Sequence, residues 1–230
     1  MATHCFIPLL GKRIRVTELD SCGVIPEDAT QISTDGFVSI TLSAEVEEGN
    51  EIIVRKASGA LCVNEKQADS FKRFTVEMDF CGVNPSLLAL TTNAEEYADG
   101  DEVIGFTVPE GEILKWFALE LWTGLSGAVC APGAEEASGY VLLPFVVAGV
   151  LGDIEVTGED AITFQMTGAA TKGGNGWGVG PYDVYMSGTP TPTAGPLPEA
   201  IDAFDHLLMI ETNMAPPPDA CDPAPVPTGA

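Results

Sequence analysis

The sequence predicts an all-β protein with one short helix, and three observations support that fold class. Apolar and polar residues alternate with period two over residues 37–46 and 72–80, as is typical of strands with one face in water. The 25 Gly and 17 Pro residues favour turns over long helices. Hydrophobic residues make up 45% of the 230-residue chain, which is enough for a substantial core.

The first predicted strands lie between residues 37 and 80. The strand at 37–46 is followed by a turn at 47–50, after which Glu51–Arg55 is predicted to return as the second strand of a hairpin. A second turn, Ser58-Gly59, precedes a strand at 60–63, and the alternating strand at 72–80 follows.

The helix signal begins at Asn84. Asn is a preferred N-cap, and Pro85 suits the first helical position because its missing N–H would have no helical partner there. The apolar run that follows predicts about two turns of helix.

The remaining elements are predicted to be strands separated by long loops. The strands are expected at 102–108, 114–122, 140–147, 153–157, 162–167, 182–186 and 207–211. The loops fall at 91–101, 123–139, 168–181 and 187–205, and loops of such length usually have a functional role. We expect one domain over residues 11–214, with an N-terminal arm at 1–10 and a Pro-rich C-terminal arm at 215–230.

Negative charge is concentrated in the later part of the chain. The formal net charge is −24, and after Arg73 only Lys115 and Lys172 oppose the carboxylates. A chain with ten Lys and Arg residues against 34 carboxylates offers little basic surface for nucleic acid. This charge suits solubility, or a surface that must not adsorb another polyanion.

No catalytic or cofactor motif is present in the sequence. The Gly-rich run at 171–181 ends in Pro181, and a strand-like segment follows it rather than a helix that could hold a phosphate. The two histidines, His4 and His206, have no catalytic or zinc-binding spacing, and no nucleophile-elbow motif occurs. The acidic segment 99–102 could attract a cation but lacks the EF-hand spacing. We therefore expect no enzyme activity, no cofactor and no metal.

Cysteine usage and the chain start predict a cytoplasmic site of folding. The six cysteines include no CxxC pair, and we expect them to be reduced and mostly buried. The first 13 residues lack the pattern of a signal peptide, and no apolar run is long enough for a membrane-spanning helix.

Several short motifs, in order along nearly the whole chain, carry a family resemblance. They are Asp35-Gly36-Phe37-Val38-Ser39, Glu48-Gly49-x-Glu51-Ile52, Phe80-Cys81-Gly82-Val83-Asn84-Pro85, Ala118-Leu119-Glu120-Leu121-Trp122, Leu142-Leu143-Pro144-Phe145, Asn175-Gly176-Trp177-Gly178-Val179-Gly180-Pro181 and Ala215-Pro216-Pro217-Pro218. In this order they resemble the major tail tube protein of long-tailed, non-contractile phages of actinobacteria.

The resemblance implies a β-sandwich subunit with one flanking helix, six copies of which form a ring with a continuous inner β-barrel. Stacked rings would form a virion tail tube that surrounds a tape-measure protein, meets tail terminator and distal tail proteins, and later conducts DNA without binding it specifically. The subunit would be assembled in the host cytoplasm without membrane insertion.

Candidate residues for these roles come from the pattern of this chain. The polar faces of the two alternating strands and the turn at 47–50 give the lumen candidates Glu45, Glu47, Glu48, Glu77 and Asp79. The inter-subunit loop candidates are Gly174, Asn175, Gly176, Trp177 and Gly178. An alternative is a β-sandwich binding module, either a virion decoration protein or a carbohydrate-binding protein that uses its tryptophans, and a third is a glycan-active enzyme.

Overall fold

Strands make up most of the structure. The computed structural model describes residues 7–82, 84–126, 137–154, 162–174, 176–188, 191–220 and 222–227, and the structural statements below refer to these residues. The strands and the helix in chain order are β1 (Pro8–Leu19), β2 (Thr30–Thr34), β3 (Phe37–Glu47), β4 (Glu51–Arg55), β5 (Leu61–Lys66), β6 (Ser70–Phe80), α1 (Pro85–Thr91), β7 (Glu95–Asp99), β8 (Glu102–Thr107), β9 (Trp116–Leu125), β10 (Ser138–Val147), β11 (Val150–Leu151), β12 (Phe164–Thr171), β13 (Tyr185–Ser187), β14 (Thr193–Gly195), β15 (Leu208–Thr212) and β16 (Ala224–Pro225). The predicted fold class, almost all β with one short helix, is confirmed.

Ten of the strands form one large antiparallel sheet. Its order is β16-β2-β1-β9-β10-β12-β6-β3, and β11 and β15 attach to β12 and β10. The end strands, β16 and β3, are not hydrogen-bonded to each other, so the described part of the chain does not form a closed barrel. The pairs β4-β5, β7-β8 and β13-β14 form three separate two-stranded sheets.

The large sheet curves around one hydrophobic core. Strands from one end of the sheet to the other contribute to this core, from Ile32 in β2 to Met78 in β6, with Leu42 of β3 packed at its margin. Helix α1 covers the core through Leu87 and Leu88. The helix begins as predicted, since the Asn84 side chain accepts a hydrogen bond from the Leu87 N–H at 3.0 Å and Pro85 stands at its start.

The opposite face of β9 and β10 is covered by segments 177–184 and 197–201. Trp122 and Tyr140 on these strands pack with Trp177, Tyr182 and Leu197 in a second buried cluster. Because both faces of β9 and β10 are buried, their sequences are almost continuously apolar, as is usual for strands in the centre of a layered fold.

One predicted strand pairing is wrong. Strand β4 does not return along β3: β3 pairs with β6, and β4 pairs with β5. The chain does not reverse at the predicted turn, residues 47–50. This segment continues in the direction of β3 and runs beside residues 67–69, where the Gln67 N–H donates to the Asn50 carbonyl at 3.0 Å. A Cβ on Gly49 would lie 2.0 Å from the Gln67 carbonyl oxygen, so glycine permits this close approach. The reversal occurs at the second predicted turn, where Gly59 has φ +84°.

Several further elements differ from the prediction. Strands β1, β2, β7, β14 and β16 were not predicted. Residues 8–10, the last three of the proposed N-terminal arm, belong to β1. Residues 153 and 154 do not form the predicted strand, and the rest of that prediction, 155–157, lies outside the described residues.

The expectation of mostly buried cysteines is wrong for Cys22, Cys62 and Cys81, which are all exposed. Cys5, Cys130 and Cys221 lie outside the described residues.

A buried ion pair joins β1 to β9 in the middle of the sheet. Arg15 and Glu120 are direct cross-strand partners, and the guanidinium donates to both carboxylate oxygens of Glu120, at 2.5 and 2.6 Å. Tyr140 donates to the same carboxylate at 2.7 Å. The Arg15 guanidinium carbon lies 3.2 Å from the centroid of the Tyr182 ring, whose hydroxyl is 2.8 Å from the Thr17 hydroxyl.

Each charge in this pair depends on the other. Burial alone would lower the pKa of Arg15, but the charge and hydrogen bonds of Glu120 raise it. Burial and the neighbouring Glu120 carboxylate raise the pKa of Tyr140 well above its ordinary value. The tyrosine therefore stays protonated and able to donate.

Removing one charge should be far more destabilising than removing all the polar groups. Glu120→Gln leaves Arg15 buried without a counter-charge, and we expect it to lower the free energy of unfolding by about 3–5 kcal/mol. The control replaces Arg15 by Met, Glu120 by Leu and Tyr140 by Phe together, and should lose less because no buried charge or donor is left unpaired. Urea denaturation followed by circular dichroism measures both. A loss below about 1 kcal/mol for Glu120→Gln would contradict the importance of the pair.

Candidate assembly surfaces

The outer face of β3, β6 and β12 is polar and rich in hydroxyl groups. It lies opposite the core face, because successive side chains in a strand point to opposite sides of the sheet. Its members on β3 and β6 are Ser39, Thr41, Ser43, Glu45, Arg73, Thr75, Glu77 and Asp79. Three carboxylates against one guanidinium give this face a formal charge of −2. It is hydrophilic and weakly negative.

The five predicted lumen residues lie on or beside this face, in different environments. Glu45 accepts a hydrogen bond from Arg73 at 2.6 Å, and this bond lowers the pKa of Glu45. Asp79 accepts from the Ser39 hydroxyl at 2.6 Å and from the Gln165 amide at 3.0 Å. Glu77 is exposed. At the end of the strands Glu47 is exposed and 3.6 Å from the Lys72 ammonium, and Glu48 is exposed as well.

Strand β3 leaves a long edge of the sheet open. It has 11 residues and pairs with β6 on one side, and the described residues place no strand on its other side. A β-bulge between Phe37 and Ser39 turns Val38 outward, where it is 58% exposed. Long open edges with exposed apolar side chains promote pairing with another chain.

Strands β4 and β5 form a projecting two-stranded ribbon, here named the basic ribbon (residues 51–66). All 11 strand residues are exposed. Ile52, Val54 and Val63 lie on one of its faces by register, and each is 40–47% exposed. Residues 52–64 include Arg55 and Lys56 but no carboxylate. Because an isolated two-stranded ribbon is at best marginally stable in water, we expect another surface to cover it.

Strands β7 and β8 form a second ribbon, here named the acidic ribbon (residues 95–107). It has five carboxylates and no Lys or Arg, namely Glu95, Glu96, Asp99, Asp101 and Glu102. Tyr97 and Ile104 are each 57% exposed. On the side opposite Tyr97, Phe106 packs edge-to-face with Phe164 at 6.3 Å between ring centroids, which fixes the ribbon to the core.

A lysine supports the base of the acidic ribbon. The Lys115 ammonium donates to the Ala89 carbonyl at 2.8 Å and to the Ala94 carbonyl at 2.5 Å. Burial lowers the pKa of Lys115, and the nearby carboxylates of Glu95 and Glu96 oppose that shift. The lysine thus connects the last turn of α1 to the start of β7.

The Gly-rich loop packs mainly within its own subunit. Trp177 is 4% exposed and belongs to the second buried cluster. Gly174 is buried, and a Cβ there would lie 2.2 Å from the Ile201 side chain. Gly176 is exposed and Gly178 half-buried, while Asn175 lies outside the described residues. Contact of this loop with a neighbouring subunit stays a prediction.

A groove lies beside β15, between this strand and residues 197–205. Its volume is about 570 Å³, with an apolar floor that includes Leu197, Ile201 and Ile210 and carboxylates that include Glu199 and Asp202. The groove contains no tryptophan: Trp122 and Trp177 are buried and Trp116 is half-buried. The tryptophans therefore provide no exposed platform for a sugar.

The Pro-rich C-terminal arm lies against its own subunit. Strand β16 pairs with β2, and the Ala220 N–H donates to the Ser33 carbonyl at 2.9 Å. Arg13 donates to Asp219 at 2.6 Å, and the same carboxylate accepts from the Asp35 N–H at 3.2 Å. This arm covers the edge of the large sheet at β2. Of the two edges of that sheet, the one at β3 is therefore the exposed one.

The described residues therefore form a β-rich fold with one covered and one open sheet edge and two exposed ribbons of opposite charge. Among the described residues, no group of three or more His, Cys, Asp or Glu side chains is arranged to hold a metal ion. Within the same residues, no helix is long and apolar enough to cross a membrane. No protein-family model matches the chain, and no curated protein matches it significantly.

The Gly-rich loop allows a direct comparison of two glycines. Gly176 has φ +91° and its Cβ would lie 2.4 Å from the Gly23 carbonyl oxygen, whereas Gly178 has φ +63° with open space around its Cβ. Gly176→Ala should cost about 2–5 kcal/mol through strain and overpacking, and Gly178→Ala about 1–2 kcal/mol through strain alone. Chemical denaturation of the unassembled subunit measures both. Equal losses would show that the close contact with Gly23 does not constrain the loop.

Proposed function

We propose that this protein is a structural subunit of a phage tail tube, which self-assembles into stacked hexameric rings and performs no catalysis. The observation that carries the proposal is the open 11-residue edge of β3 beside a hydrophilic sheet face. A subunit that pairs this edge with the next copy extends one sheet around a ring. Ring closure then removes an edge that would otherwise aggregate.

The polar face of β3 and β6 suits the lumen of such a ring. Its hydroxyl groups are hydrated and its formal charge is −2 per subunit, so it offers phosphates no attractive site. At physiological salt, like charges repel DNA over a Debye length of about 8–10 Å. The core face of the same strands points into the hydrophobic core that α1 covers through Leu87 and Leu88, so in the proposed ring the helix would lie on the side away from the lumen. In this arrangement the sheet of each subunit forms a sandwich-like wall, and six walls form the inner β-barrel.

The tail tube proposal also accounts for the exposed ribbons. Both have apolar side chains in water, and in a tube both would be buried between subunits. Interfaces in obligate assemblies usually bury more than about 2,000 Å². The partners proposed for the tube are further copies of this chain, a tape-measure protein in the lumen, and tail terminator and distal tail proteins at its ends. The location is the virion tail, assembled in the host cytoplasm.

The groove beside β15 favours a second candidate function, a binding module of the virion surface. Its volume of about 570 Å³ is within the usual range of small-ligand sites. The four carboxylates that line it would favour a cationic ligand over a neutral sugar. This candidate leaves the β3 edge and both ribbons without a role, so the tube subunit is the better proposal.

Assembly of the purified protein tests the proposal. We expect rings or tubes by negative-stain electron microscopy and species of six or more subunits by analytical ultracentrifugation. A protein that stays monomeric at millimolar concentration, and for which no ring is seen in its native particle, would refute the tail tube function.

The lumen assignment is tested by placing a lysine on the polar face. Glu77 is exposed on β6 opposite Thr41, and Glu77→Lys should slow DNA ejection from particles at low salt, because a ring of ammonium groups binds phosphates. The slowing should diminish as salt is raised. Glu27→Lys makes the same charge change at an exposed loop residue away from the sheet face and should leave the ejection rate unchanged. Normal low-salt ejection with Glu77→Lys in assembled tails would place this face outside the lumen.

A further inference from the structure

We propose that the basic ribbon of one subunit docks on the acidic ribbon of a second copy, so that the subunits associate head to tail. This proposal rests on the proposed function and deepens it, since it names the two surfaces that join successive copies. Four observations carry it, namely the positions of the ribbons, their charges, their exposed apolar side chains and their register.

The two ribbons project from opposite ends of the same strand. The basic ribbon continues β3 and β6 beyond Glu47 and Ser70, which are cross-strand partners. At the other end of β6, Phe80 pairs with Phe164, and Phe164 contacts Phe106 of the acidic ribbon. The 11 residues of β6 separate these ends by roughly 35 Å. A contact between unlike surfaces is heterologous and can be repeated from copy to copy, and with the two surfaces at opposite ends it extends the assembly along the direction of β6.

The charges of the two ribbons are complementary. The basic ribbon has a formal charge of +1, with Arg55, Lys56 and Lys66 against Glu51 and Glu65 at its base, and the part beyond these carboxylates, residues 52–64, has a formal charge of +2. The acidic ribbon has a formal charge of −5. Asp99, Asp101 and Glu102 at its turn are exposed and form no ion pair with any described side chain. Docking would bring Arg55 and Lys56 to these carboxylates and give the contact one orientation.

Apolar side chains supply the contact area. Ile52, Val54 and Val63 form one face of the basic ribbon. On the acidic ribbon, Tyr97 points away from the side on which Phe106 meets the core, because adjacent positions along a strand alternate. Tyr97 and Ile104 are each 57% exposed and give the acidic ribbon apolar surface beside its carboxylates. Water is then excluded from both ribbons in one contact.

The other acidic surface, the groove beside β15, is the rival docking site. The groove lies near the end of β6 from which the basic ribbon projects, because His206 beside it contacts the Phe71 ring at 5.3 Å between centroids. A contact there would join surfaces at the same end of the subunit, so successive copies would not be spaced by the length of β6. The experiment below distinguishes the two sites.

Charge exchange between the ribbons is the first test. In the full-length protein, Arg55→Glu with Lys56→Glu should reduce the sedimenting fraction at least tenfold, and so should Asp99→Lys with Asp101→Lys. Combining all four substitutions should restore assembly to within about threefold of the unmodified protein, since the charges are again complementary. Circular dichroism checks that each variant is folded. The matched control, Glu199→Lys with Asp202→Lys in the groove, should assemble normally.

Disulfide trapping is the second test, and it uses the exposed Cys62 of the basic ribbon. Asp101→Cys, at the turn of the acidic ribbon where Arg55 and Lys56 would dock, should give a Cys62-dependent covalent dimer when assembled protein is oxidised, and Cys62→Ser should abolish that dimer. Ala200→Cys, in the groove, should give none. Trapping at Ala200 but not at Asp101, or failure of the fourfold variant to restore assembly, overturns the ribbon contact while the tube function stands. A protein that never assembles overturns both.

Discussion

The buried pair of Arg15 and Glu120 is the interaction on which the arrangement of the sheet depends. It fixes β1 against β9 at one register, because a shift of β1 by one residue would turn Arg15 to the opposite face and leave the buried carboxylate of Glu120 without its counter-charge. Tyr140 extends the contact to β10, and Tyr182 brings the covering segment onto the same site. Four separate parts of the chain therefore meet at one carboxylate and one guanidinium, in an order that apolar packing alone would specify less strictly.

From this fixed centre the sheet extends in two directions that end differently. On one side, β2 is covered by β16 of the same chain and held by the contact of Arg13 with Asp219. On the other side, β12 and β6 lead to β3, whose outer edge has no partner among the described residues. In the proposed tube, the open edge is the one at which a second copy would pair, and the polar face of β3 and β6 would then line the channel.

Charge has separate roles in different parts of this protein. In the core, a single pair is compensated and specifies strand order. On the polar face, carboxylates are few and partly bonded to Arg73, Ser39 and Gln165, so hydroxyl groups dominate that surface. At the two ribbons, charges of opposite sign are separated by the length of β6. The net charge of −24 therefore says little about any one surface, because the positions of the charged residues matter more than their total.

The sequence by itself determined the elements that have a clear local pattern, either strand alternation or a helix cap. Alternation predicted β3 and β6, and Asn84 with Pro85 predicted the start of α1, because capping and strand periodicity are local properties. The same alternation located Glu77 and Asp79 on the polar face. Strand β1 was missed because Arg15 occupies a buried position, although Ile14 and Val16 alternate around it. Only the tertiary structure decided that β4 pairs with β5, that apolar Ile52 and Val54 are exposed, and that β3 ends the sheet. Pairing depends on contacts between residues distant in sequence, and a turn signal does not state whether the chain reverses or continues.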